Sequence, residues 1–234
     1  MKRFFDYHLR TTDVAAARAF YVAVLGNGDA EIFRLHEQAV ARGARPHWLG
    51  YIDVGEVDAA ASLFGARDAT ALGPKWVNPQ GLEAAVMRDP GGAVVALAKP
   101  APGGGPSSPA VARPDVVWHL LHTADVERAK ANYAELFGWK FQEPLDLGKN
   151  GVFHPFAWQS GGPAVGSMSD IATRPGVHPH WLFHFRVASL DPTLDAVRSG
   201  GGSIVGSFVL PNGDRVAVCD DPQGAAFALF QEHG

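Results

Sequence analysis

Two short stretches of this sequence carry, at alternate positions, groups that can exchange protons or hold an anion. Trp118, Leu120 and His122 are spaced two apart, as are Leu182, His184 and Arg186, so in extended chain each trio lies on one face. An imidazole titrating near neutrality can act as acid or base, and a guanidinium grips an anionic group through paired donors. Ala226, Ala228 and Phe230 share a face of a later apolar run, and His154 stands on a run between the two trios. Near the amino terminus, Asp6, His8 and Arg10 share a face, as do Leu49, Tyr51 and Asp53. Asp6, His8 and Asp53 carry donors that a divalent ion accepts, but Arg10 would repel the ion and sooner pair with a carboxylate. This second set is expected to be a hydrogen-bonded polar cluster without an ion, a rebuilt divalent site being the alternative.

Other chemically suggestive residues read as structure. His47-Trp48 and His180-Trp181 each follow a proline at the start of a strand, which predicts a buried indole and a hydrogen-bonded imidazole. Ser199-Gly200-Gly201-Gly202 follows a helix instead of preceding one, so it predicts a helix end and turn, not a phosphate loop. Cys219 is the one cysteine, beside Asp220 and Asp221, whose charges oppose thiolate formation. No thiolate zinc site, intramolecular disulfide, Gly-x-Ser-x-Gly elbow or His-Glu-x-x-His helix can be written on this chain.

The elements that must position these groups repeat. Asp6–Gly26 aligns with Trp118–Gly138 at an offset of 112, with identities that include Thr11/Thr123, Asp13/Asp125, Ala17/Ala129 and Tyr21/Tyr133. Pro-His-Trp-Leu recurs at 46–49 and 179–182, and Asp89-Pro90-x-Gly92-Ala93 recurs as Asp221-Pro222-x-Gly224-Ala225. Three blocks in order mean a tandem duplication. The first copy spans 1–98, a Pro/Gly-rich linker spans 99–114, and the second copy spans 115–234. Within each copy, a strand leads into an amphipathic helix capped by Asp13 or Asp125 and closed by Gly26 or Gly138. A second strand and helix then lead to a hairpin and a last apolar strand. The offset grows to 133 at the Pro-His-Trp-Leu block, so the first copy is trimmed by 21 residues there. That leaves it room for about two strands, at Glu31–Leu35 and Ala39–Ala44, where the second copy offers three.

The composition bounds the partners. The 234 residues carry 20 Lys+Arg against 24 Asp+Glu, a formal charge of −4, with 47% hydrophobic residues. Nucleic acid is excluded as an expected partner because no positive field exists to draw phosphate. The absence of an 18-residue apolar run excludes a membrane span, the opening residues offer no signal-peptide core, and a lone thiol suits a reducing cytoplasm.

The blocks T-x-D-V-x-x-A-(R/K)-x-x-Y-x-x-x-(L/F)-G, P-H-W-L and D-P-x-G-A-x-x-A-L resemble the vicinal oxygen chelate superfamily, also called the glyoxalase/bleomycin-resistance/dioxygenase fold. The resemblance implies an α+β protein of four βαβββ-type modules in two tandem domains, the first module shortened, each domain folded around a cup that binds a small molecule. In catalytic members a divalent metal sits in the cup. The family positions for its ligands fall on Asp6, Leu49 and Ala96 in the first copy and on Trp118, Leu182 and Ala228 in the second, which departs from the pattern. The expectation is therefore metal-independent binding or sequestration of a small molecule in the second cup, lined by Trp118, His122, His154, His184, Arg186 and Phe230. The alternative is a lyase, isomerase or dioxygenase-like enzyme on a small oxygenated metabolite, with or without a divalent metal, using His122 or His184 as acid/base and Arg186 for an anionic group. With four modules in one chain, a monomer or weak homodimer is expected.

Overall fold

The structure is a computed structural model and describes residues 1–26, 31–102 and 114–234, so most of the predicted linker lies outside the described residues. Four modules follow one another. The first contains β1 (Phe4–Thr11), α1 (Val14–Leu25), β2 (Glu31–Arg34) and α2 (Glu37–Ala41). The second contains β3 (His47–Asp53), α3 (Val57–Gly65), β4 (Thr70–Ala71), β5 (Trp76–Val77), β6 (Glu83–Arg88) and β7 (Val94–Lys99). The third contains β8 (Val116–His122), α4 (Val126–Phe137), β9 (Lys140–Phe141), β10 (Leu145–Asp146), β11 (Val152–Ala157) and β12 (Gly166–Ser169). The fourth contains β13 (His180–Arg186), α5 (Leu190–Ser199), β14 (Ser203–Val209), β15 (Arg215–Asp220) and β16 (Ala226–Gln231).

Each module returns its last strand alongside its first, in parallel. The orders are β3-β7-β6-β4, β8-β12-β11-β10 and β13-β16-β15-β14, with β5 on β6 and β9 on β11, while the first module keeps only β1-β2. The expected α+β fold of four modules with a shortened first one is what the chain adopts. One element differs. Glu37–Ala41 is a short helix, not a strand, because His36 caps it by accepting the Gln38 amide at 3.3 Å and its alanines favour helix. Val40 is exposed there, so a strand would have buried nothing.

The caps read from sequence are in place. Asp13 accepts the amides of Ala15 and Ala16, Asp125 accepts that of Arg128, and Gly26 and Gly138 take left-handed conformations at φ 76 and 78. Gly200 ends α5, and a Cβ on Gly200 or Gly202 would stand 2.7 or 3.0 Å from the Phe20 ring. Glycine is thus required there by a ring packed on bare backbone.

The chain forms two compact units. One gathers Met1–Asp6, the described part of Gly50–Val111, and His119–Trp181; the other gathers Tyr7–Leu49, Leu182–Gly234 and the described residues before and including Trp118. Each unit therefore combines one module from each copy, the second with the third and the first with the fourth. In the first unit α3 packs on α4 over a core of Trp139, Phe156, Tyr133, Phe64 and Trp181, with Trp139 stacked on Phe156 at 4.6 Å. In the second unit α1 packs on α5 over Phe20, Tyr21, Trp48, Phe185 and Phe227.

The repeated motif residues meet inside these units. In the second unit Trp48 Nε1 donates to the Tyr21 hydroxyl at 3.0 Å, which donates to Asp221 at 3.2 Å, while the other carboxylate oxygen accepts the Gln223 and Ala225 amides. In the first unit Trp181 Nε1 donates to Tyr133 at 3.3 Å, Tyr133 donates to Asp89 at 3.1 Å, and Asp89 accepts the Ala93 amide. Each triad is buried. The P-H-W-L, helix tyrosine and D-P-x-G blocks recur because each supplies one member of such a triad, and the Asp always comes from the other copy than the Tyr.

Candidate functional site

The face of the third module turned away from α4 is set by register. Parallel pairing puts His122 opposite Ser169 and Leu121 opposite Met168, so His122 and Ser169 share one face and Met168 lies on the other. His122 is buried and its Nδ1 lies 2.8 Å from Ser169 Oγ, with Ser169 wholly buried. The His180 ring meets it edge-on at 5.1 Å, and the exposed His178 ring lies 4.8 Å from His180. His180 Nδ1 bonds the main-chain oxygen of His178 at 2.8 Å. Burial pushes the His180 pKa down to about 4, with the neighbouring His178 also opposing its charge.

The remaining sequence candidates sit differently. His154 pairs opposite Met168 and so lies on the helix-facing side, where burial and then Lys130 of α4 lower its pKa. Within the first unit it is thus on the opposite face from His122. His119, not singled out from sequence, stacks on Phe4 at 5.0 Å, and burial pushes its pKa down to about 4. In the second unit His184 pairs with Ala228 and Arg186 with Phe230, so His184, Ala228 and Phe230 lie on one face, with His184 buried. The Arg186 guanidinium is exposed and engaged by Asp115 at 3.0 Å and Glu232 at 2.6 Å. Trp118 is half-buried.

In the first copy the polar set is also divided. His8 is buried and pairs with Glu31 at 3.0 Å, and Arg10 lies 4.8 Å over the Phe33 ring, all in the second unit. In the first unit Tyr51 is fully buried opposite Ala96, and Asp53 accepts the Gly55 amide at 3.1 Å, opposite Ala98. Glu31, Phe33, Ser169, His178 and His180 were not among the sequence candidates. The His178-Pro179-His180 tripeptide was the one available signal. A cavity of about 40 Å³ beside the triad of the first unit, lined by Gly91, Arg128, Asn132 and Tyr133 among others, has room for water and not for a metabolite. The Cys219 thiol is buried and pushed up to about 12, burial contributing more than Asp220.

Residues 115–154 match the family described as bleomycin resistance protein-like N-terminal. The chain is 31% identical over 117 residues to the Mycobacterium bovis protein named "Putative glyoxylase CFP32", covering 49% of this chain and 44% of that one. It is 29% identical over 189 residues to the anthracycline biosynthesis protein DauV of Streptomyces sp. strain C5, covering 79% and 65%. Its fold is similar to the Mn(II)-bound glyoxalase of Novosphingobium aromaticivorans, with a TM-score of 0.66 at 13% identity over 99% of this chain and 83% of that one. These partial matches and the shared fold support the likeness to the vicinal oxygen chelate superfamily that the motif blocks carry. The chain spans under two thirds of the length of these curated relatives.

Metal-binding members of this superfamily set the fit test for the ligand positions. In the second unit those positions hold Trp118, Leu182 and Ala228, and indole, isobutyl and methyl side chains offer no lone pair to a divalent ion. In the first copy Leu49 and Ala96 are likewise without donors, leaving Asp6. Among the described residues no group of three or more His, Cys, Asp or Glu side chains is arranged to hold a metal. These residues do not fit the superfamily's metal centre. No helix among the described residues is long and apolar enough to cross a membrane.

Proposed function

We propose that this protein binds or sequesters a small molecule without a resident divalent metal, and that binding centres on the His122 face of the third module. The observation that carries the reading is the buried His122–Ser169 pair, 2.8 Å apart, opening toward the half-buried His180 and the exposed His178. A few oriented polar groups set among apolar strands are what a small-molecule site requires. The donor-free residues at the superfamily's ligand positions support binding that does not route through a metal. Similarity to a glyoxylase-named protein and to an anthracycline biosynthesis protein is consistent with a small organic ligand.

Elemental analysis of purified protein, followed by thermal-shift screening against small organic molecules, tests this. The expected result is less than one equivalent of transition metal per chain and a ligand whose stabilisation is lost in His122→Leu. About one tightly held Zn, Mn, Fe or Ni per chain would overturn the metal-independent reading and favour the enzyme alternative. Stabilisation unchanged in His122→Leu would move the site elsewhere.

A further inference from the structure

Resting on the reading that the His122 face takes a small molecule, we infer that this face recognises an uncharged ligand through a hydroxyl group donated to Nε2 of His180. The tautomer decides the chemistry. His180 Nδ1 is 2.8 Å from the main-chain oxygen of His178, and a carbonyl oxygen only accepts, so the ring proton sits on Nδ1 and Nε2 carries the lone pair. The ring is half-buried, with His122 at 5.1 Å and His178 at 4.8 Å beside it. Its depressed pKa keeps it an acceptor at neutral pH instead of a cation.

Three cations of this unit are already engaged. Arg67 is engaged by Glu135 and Asn132, Arg128 by Asp68, and Lys130 by Glu127. Arg186 in the other unit, the guanidinium expected from sequence to take an anionic group, is already held by two carboxylates. The exposed His178 ring beside His180 instead offers aromatic surface to an apolar body. The ligand class is therefore a neutral, largely apolar molecule bearing a phenol-like or alcohol hydroxyl, and not a carboxylate or phosphate.

Equilibrium dialysis of the full chain at neutral pH with 2-naphthol, 2-methoxynaphthalene and 2-naphthoate separates the outcomes. The naphthol is expected to bind roughly three- to tenfold more tightly than its methyl ether, which lacks the donor, and the naphthoate more weakly than either. His180→Leu should erase the advantage of naphthol over ether while leaving the ether's own binding in place. Preference for the naphthoate, or a naphthol advantage that survives His180→Leu, overturns the hydroxyl inference and leaves small-molecule binding standing. Equal binding of naphthol and ether by the unsubstituted chain overturns it too, whether or not His180→Leu folds. Retention of none of the three probes overturns both the inference and the reading beneath it.

Discussion

His47 in one compact unit and His180 in the other begin from the same backbone device. Each follows a proline and turns Nδ1 onto the carbonyl two residues back, at 2.7 Å to Arg45 and 2.8 Å to His178. Around that device the two regions diverge. The residue supplying the carbonyl is arginine in one and histidine in the other. The strand position matching His122 is Arg10, and its cross-strand partner is Phe33 where His122 has Ser169. Arg10 lies over a ring as a cation, whereas His122 Nδ1 is hydrogen-bonded to a hydroxyl. The triads, by contrast, are the same in both units down to residue type. Agreement between the copies marks scaffold, and disagreement marks the places where the two units can differ in chemistry.

The strongest way to break that division is through the triads. Tyr133→Phe removes the hydroxyl that links Trp181 to Asp89, leaving a buried N–H and a buried carboxylate short of a partner. We expect a loss of about 3 kcal/mol. Tyr21→Phe should cost about the same, since Trp48 and Asp221 are held alike. Urea unfolding of both variants checks this. A cost below about 1 kcal/mol in one of them would show that the repeated motif is scaffold in one unit only.

A second test uses pH. Tyr7 occupies the position in the first copy that His119 occupies in the second, so only the latter titrates in the acid range. The folded pKa of His119 is depressed to about 4 from an ordinary value of 6.5. Between these values the unfolded chain binds a proton that the folded chain refuses, so its contribution is fully present above pH 6.5 and is lost as pH falls through 4. The loss amounts to about 2–3 kcal/mol at the acid end. Asp89 and Asp221 act with the opposite sign, because burial raises their pKa values, so the comparison must be between the parent and His119→Phe. The variant should show a flatter decline of stability from pH 6.5 to 4, measured by denaturant melts across that window. Parallel curves would show that His119 is not held neutral.

The D-P-x-G turns sharpen the comparison further, because they differ at x. A Cβ on Gly91 would stand 2.6 Å from Thr123 Oγ1, so Gly91→Ala should destabilise by about 1–2 kcal/mol through overpacking. The matching residue of the second copy is Gln223, and Gln223→Ala should change stability by less than about 0.5 kcal/mol. Thermal melts of the pair read the contrast directly, and equal costs would mean the turns are not packed differently.

Much of this architecture was legible in the chain because it depends on local rules. Asp13 and Asp125 before a periodic run, and Gly26 and Gly138 after it, specify helix ends through backbone groups within one turn. The duplication made four modules readable from two. Glu37–Ala41 escaped because five residues carry too little periodicity to separate helix from strand, and the deciding contact is a histidine cap. The site was harder for a different reason. His154 needed the β11–β12 register to place it opposite Met168, and register is a long-range property. His180 read as packing until its ring was seen between His122 and His178, since strand alternation gives faces and not neighbours. His184 and Arg186 share spacing in the sequence, yet one is buried and the other ends its strand in solvent.

Arg186 supplies a small expected effect and the one most opposed to the sequence expectation. A guanidinium spaced two residues from a buried histidine reads as an anchor for an anionic ligand, and its removal would then cost binding by one to two orders of magnitude. Its surroundings argue otherwise. Asp115 and Glu232 hold it from two sides with both carboxylates well exposed, so its charge is spent before any ligand arrives. Exposed pairs of this kind contribute little, because solvent screens them and two long side chains lose freedom in forming them. Arg186→Ala should therefore change stability by less than about 1 kcal/mol. Added salt should shrink even that difference. It should also leave affinity for an uncharged hydroxyl-bearing probe within about twofold of the parent, whereas His180→Leu lowers it. Titrating both variants with 2-naphthol compares the two units in one measurement. A larger loss in Arg186→Ala than in His180→Leu would show that the arginine, freed from its carboxylates, is the residue that meets the ligand.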